Sequence, residues 1–168
     1  MEPHEAKVVA NFLMRDLENE IQTTLRVFGA VPGGKLDYQP DPVSKTALGL
    51  LRHITLDDER ILNGTADGAF EPPANESDVC GIMTPDDAIA RYKDKIPAAM
   101  ERVRAMSGER LCREIDYLGL LQMPSLDFLL LMRKHSVHHR GQLSTYLRAM
   151  GGKLPEIYGA SADTQASV

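Results

Sequence analysis

Apolar residues recur at spacings of three and four over four long stretches of the chain, the pattern of helices that bury one face. The first runs from Glu5 to Val31, where Val9, Phe12, Leu13, Leu17, Ile21, Leu25 and Phe28 form the stripe and Pro32-Gly33-Gly34 closes it. Lys35 to Val43 holds Tyr38, Pro40 and Pro42, with too many fixed φ angles and missing donors for regular structure, so it reads as a crossing loop. The second stretch is predicted to start at Ser44 as N-cap, to bury Leu48, Leu51, Ile54, Thr55, Ile61 and Leu62, and to stop at Asn63-Gly64. The third opens on Thr84-Pro85-Asp86-Asp87, a capping threonine, a proline at the first helical position and a carboxylate at the third. Ile89, Tyr92, Ile96, Met100 and Val103 carry it toward Ser107-Gly108, with a kink expected at Pro97.

The fourth stretch, Leu126 to Met150, is predicted to be capped by Ser125 and ended by Gly151-Gly152. At roughly 100° per residue, Phe128, Leu131, Met132, Leu143, Tyr146 and Met150 share a face, and Lys134 and Arg140 point away from it. Leu111 to Met123 alternates as a short hairpin or extended crossing would. Thr65 to Met83, rich in Gly, Pro, Ala and Asn, reads as a surface loop and a candidate lid. Ile157 and Tyr158 are expected to anchor the tail. These elements predict an all-α, up-down four-helix bundle with long inter-helix loops, a single domain over residues 1–168.

A chain of 168 residues, 43% of them hydrophobic, can bury a proper core. A net charge of -5 with both signs evenly mixed leaves no basic stripe for a phosphate backbone and no polybasic segment for anionic lipid. Neither nucleic acid nor a membrane is therefore expected as a partner. Cys80 and Cys112 stand far apart without a CxxC, and no signal peptide or long apolar run is visible, so the expected location is the cytoplasm.

The fourth helix also carries His135, His138 and His139. His135 and His139 fall one turn apart near the middle of the apolar face, and His138 toward its edge. Burying two imidazoles side by side is costly unless their nitrogens are satisfied, and a divalent metal is one solution. On helix geometry alone, a metal site and a pair of hydrogen-bonded core histidines are equal readings. The second helix adds His53 at the border of its buried face, with Asp57 four residues on and near enough to orient the ring. Asp58 and Glu59 read as solvated, Tyr146 as a core residue before a pocket residue, and His4 as belonging to no site.

Three segments together resemble the DinB/YfiT-like superfamily, helical bundles also associated with bacillithiol and mycothiol transferases: LDYQPDPVSKTALGLLRHI, the HxxxHRGQ core of the last helix, and the closing PEIYGASAD. The resemblance implies a divalent metal, zinc or nickel, held by His53, His135 and His139, with Arg140 and Gln142 in structural or inter-helix hydrogen bonds. Superfamily members commonly carry tryptophan near the second-helix histidine. Here that stretch reads TLDDERIL, which implies a more polar pocket.

Three neutral histidines leave a coordination position open, the arrangement of a catalytic site. Such a position supports hydrolysis, by acidifying a bound water, or transfer of a low-molecular-weight thiol to an electrophilic small molecule. The alternative is a non-catalytic metal-binding bundle that acts in stress-related sensing or association, as a homodimer.

Overall fold

The computed structural model describes residues 1–73 and 81–165. Its helices are α1 (Pro3–Gly29), α2 (Ala47–Asp67), α3 (Pro85–Arg104), a short α4 (Gly108–Cys112) and α5 (Ser125–Ala149), with a 3-10 turn at Gly33–Lys35. Between α4 and α5, strands β1 (Glu114–Tyr117) and β2 (Leu121–Pro124) pair antiparallel as the expected hairpin, with Tyr117 opposite Leu121. Leu118 and Gly119 both take positive φ at its tip, as a tight primed turn requires.

The four long helices form the bundle. α2 packs against α5 and α3, and α1 packs against the same two, so α1 and α2 lie diagonally. Glu59–Arg91 and Asp67–Arg102 pair α2 with α3 in parallel, whereas Glu18–Arg104 and Phe28–Tyr92 together set α1 antiparallel to α3. The helices thus run up, down, down, up, with the long connection between α2 and α3 as the crossover. Phe28, Leu50, Leu51, Ile54, Tyr92, Ile96, Phe128 and Leu129 fill the centre.

Several boundaries and faces differ from those the sequence predicts. Thr46, not Ser44, caps α2 by accepting from the Gly49 amide at 3.0 Å, while Ser44 bonds Asp41 in the preceding turn. α2 runs past Asn63-Gly64 to Asp67 and ends on Gly68 in the left-handed region. Gly64 serves packing instead, since a Cβ there would lie 2.3 Å from the Phe70 ring. Thr65 to Asp67 is therefore helix, and positions 74–80 of the expected lid, with Cys80, lie outside the described residues.

Thr84 and Asp87 form the predicted capping box. α3 continues through Pro97, which lies on its exposed face, where the Lys93 carbonyl can turn to water. Ser125 does not cap α5. Its hydroxyl and amide both bond the Arg113 carbonyl, tying the helix start to the hairpin. Phe12 is 62% exposed, because α1 buries its alanines at 6 and 10 together with Leu13 and Leu17. Ile157 is partly buried as expected, but Tyr158 is mostly exposed and anchors the tail through its hydroxyl.

Candidate metal centre

α2 and α5 cross with His53 facing His135 and His139. The Nε2 atoms of His53 and His139 lie 3.0 Å apart, and those of His53 and His135 3.1 Å apart. The three rings stand edge-on to one another, with centroids 4.3 to 4.8 Å apart. They form the one three-residue group among the described residues whose ligand atoms are placed to share a metal ion. All three line the α2–α5 seam at partial exposure rather than pointing into the core. His138 is exposed, and its Nε2 accepts from the Gln142 amide. His4 is also exposed and outside the group.

Each ring is held from behind at Nδ1. Asp57 Oδ2 accepts from His53 at 2.9 Å, Asp58 Oδ1 from His135 at 3.2 Å and Gln142 Oε1 from His139 at 2.8 Å. Asp57 therefore lies where it can orient its ring, while Asp58 departs from expectation. Asp58 is 0% exposed, not solvated, and its Oδ2 accepts from the Tyr92 hydroxyl at 2.7 Å. Its position was visible in the pattern, since it lies four residues after Ile54 and three before Ile61, on the buried stripe. Glu59 faces the other way and pairs with Arg91.

Behind Asp57 stands Arg60, 2.7 Å from Oδ1 and bonded also to the Tyr117 hydroxyl. Burial alone raises the Asp57 carboxyl, but hydrogen bonds from His53 and Arg60 outweigh it and hold the group well below the usual carboxylate range. Burial pushes Asp58 the other way, opposed by its bond from His135. Burial, with the neighbouring imidazoles, also lowers His139 to about 4, so that ring is neutral near pH 7.

Tyr146 belongs to the core, buried, with its hydroxyl on the Lys45 carbonyl and its ring edge-on to Tyr38. Arg140, predicted to point outward, is 1% exposed. α5 is buried on two sides, and Arg140 turns toward α1, where Nη2 meets Glu20 Oε2 at 2.6 Å.

This arrangement fits a cation. An imidazole that donates Nδ1–H to an oxygen keeps a lone pair on Nε2. With the His135 and His139 lone pairs each about 3 Å from that of His53, the three repel unless positive charge lies among them, and oriented Nδ1 donors are the usual outer support of metal-bound histidine.

Fold and site together define a four-helix bundle with a three-histidine centre between two of its helices. The chain belongs to the DinB family, whose model matches residues 7–166. It is similar to Uncharacterized protein YjoA of Bacillus subtilis strain 168, 27% identical over 149 residues that cover 86% of this chain and 90% of that one. The fold matches the crystal structure of a DinB-like protein from Bacillus cereus ATCC 10987 with a TM-score of 0.74 at 23% identity, covering 87% of this chain and 95% of that one. It also matches the crystal structure of a histidine-to-alanine mutant of the mycothiol-dependent maleylpyruvate isomerase, with a TM-score of 0.56 at 10% identity over 85% of this chain and 61% of that one. No helix among the described residues is long and apolar enough to cross a membrane.

Proposed function

We propose that this protein is a metal-dependent enzyme that acts on a small molecule, with His53, His135 and His139 holding zinc or nickel. The observation that carries the reading is the convergence of three Nε2 atoms whose rings each commit Nδ1 to an oxygen. When bound, such an ion supplies a Lewis acid that makes a water or thiol at its open position more acidic.

The chain's own groups do the rest. Asp57 and Asp58 fix the tautomer of His53 and His135, and Gln142 that of His139. Arg60 neutralises Asp57, so a dication beside the remaining carboxylate leaves a centre with one net positive charge. That charge suits a singly anionic ligand such as a thiolate or hydroxide. Transfer of a low-molecular-weight thiol is the branch to test first, because a protein of the same fold is mycothiol-dependent. Hydrolysis is the second.

The test is to load the protein with zinc or nickel and to screen small thiols against electrophiles, and esters and amides without thiol. Thiol-dependent consumption of an electrophile by the parent, lost in His139→Ala, is the expected result. Stoichiometric metal with no turnover in either screen would overturn the enzyme reading. It would leave a metal-holding bundle that acts through association, for which sedimentation should then show a homodimer.

A further inference from the structure

We propose that Asp58 and Tyr92 form a positioning pair for His135, so that α3, which supplies no ligand, helps to set how the centre binds its ion. The inference rests on the metal reading above and extends it to residues away from the ligands.

Asp58 has no contact with solvent, and its two oxygens are divided between two partners. Oδ1 faces His135 Nδ1, and Oδ2 accepts a hydrogen bond from the Tyr92 hydroxyl at 2.7 Å. The Tyr92 ring is itself buried, set edge-on against Phe28 at 5.6 Å, so the phenol is fixed and in turn fixes the carboxylate plane. The Thr24 and Ser136 hydroxyls, 3.4 Å apart, lie beside the Asp58–Tyr92 pair, close enough to act on its charge. Each of the four long helices thus places one side chain in a single buried polar layer, Thr24, Asp58, Tyr92 and Ser136, and the layer ends on a ring of the centre.

Asp57 and Asp58 are not equivalent. The guanidinium of Arg60 pairs with Asp57, whereas among the described residues no lysine or arginine pairs with Asp58. A buried carboxylate without a cation is costly. Positive charge on the far nitrogen of the ring it already holds offsets that cost, and the carboxylate makes that nitrogen a better donor. A layer that served only to fix helix register would need no carboxylate aimed at an imidazole on its rim.

The experiment is a titration of the apo protein with cobalt(II), followed by its visible spectrum, with zinc affinity measured by chelator competition. The parent is compared with Tyr92→Phe, Asp58→Asn and Ile96→Val, the last a buried change on α3 that leaves the layer intact. Tyr92→Phe and Asp58→Asn should each bind about 10-fold to 100-fold more weakly, the usual effect of losing an outer support. Both should also alter the cobalt spectrum, while Ile96→Val keeps the parent affinity and spectrum. Parent-like affinity and spectrum in folded Tyr92→Phe would overturn the proposal. If that variant does not fold, the same result in Asp58→Asn would do so. A parent that takes up no cobalt or zinc would instead overturn the metal reading itself, and this inference with it.

Discussion

Arg140 follows His139 in sequence but, about 100° further around α5, faces α1 rather than α2. Its guanidinium bonds the Glu20 carboxylate and carbonyl and the Thr24 hydroxyl, and the Tyr158 hydroxyl closes the cluster on Glu20 at 2.9 Å. Removing one partner of a buried pair strands the other charge, which costs about 3–5 kcal/mol. Urea unfolding of Arg140→Met should show a loss of that order, and Arg140→Met combined with Glu20→Leu should recover most of it. A single-variant loss below about 1 kcal/mol would mean that the pair is not held as described. The same contacts explain why PEIYGASAD is part of the fold, since its tyrosine reaches the cluster from the chain end.

At the scale of elements, close approaches of backbone decide which glycines matter. Gly108 opens α4 beside the start of α1, and a Cβ there would lie 2.0 Å from the Pro3 carbonyl oxygen. Gly141, inside α5, has nothing within 4 Å of its ideal Cβ. Gly108→Ala should therefore destabilise by roughly 1–3 kcal/mol, as overpacking does. Gly141→Ala should stabilise by about 0.5–1 kcal/mol through helix propensity. Thermal melts of the two variants check this, and shifts in the same direction would contradict it.

The elements most legible in the sequence were those with strong local chemistry. The Thr84–Asp87 box, the period of α5 and the alternation of the hairpin each depend on neighbours a few residues apart. So did the pairing of His53 with Asp57, which is an i,i+4 contact. What local pattern could not give were partners from other helices. Asp58 is a buried acceptor only because Tyr92 and His135 arrive from α3 and α5, and Arg140 is buried only because α1 presents Glu20. Apolar counts alone put Arg140 toward solvent and Phe12 in the core, and although they leave Asp58 on the buried stripe they do not show the partners that satisfy it there.

For the molecule as a whole, the apolar core lies along the bundle axis, while the histidines occupy the α2–α5 seam. The metal should therefore add stability without being needed for folding. With zinc at roughly 100 times its Kd, linkage adds about 2.7 kcal/mol to the parent. The melting temperature of the parent should rise accordingly. His139→Ala, measured without metal, should stay close to the apo parent and gain little from zinc. An apo parent that is unfolded by far-ultraviolet circular dichroism would contradict this division between core and site.

The most direct measurement is metal content by elemental mass spectrometry on tag-free protein, run in parallel on the parent, His53→Ala and His135→Ala. The account predicts roughly one zinc or nickel per chain in the parent, lost in both variants, because the ligand atoms come from both sides of the seam. A parent without stoichiometric metal even after incubation with zinc or nickel would contradict it, and the three rings would then be polar residues that lock α2 to α5.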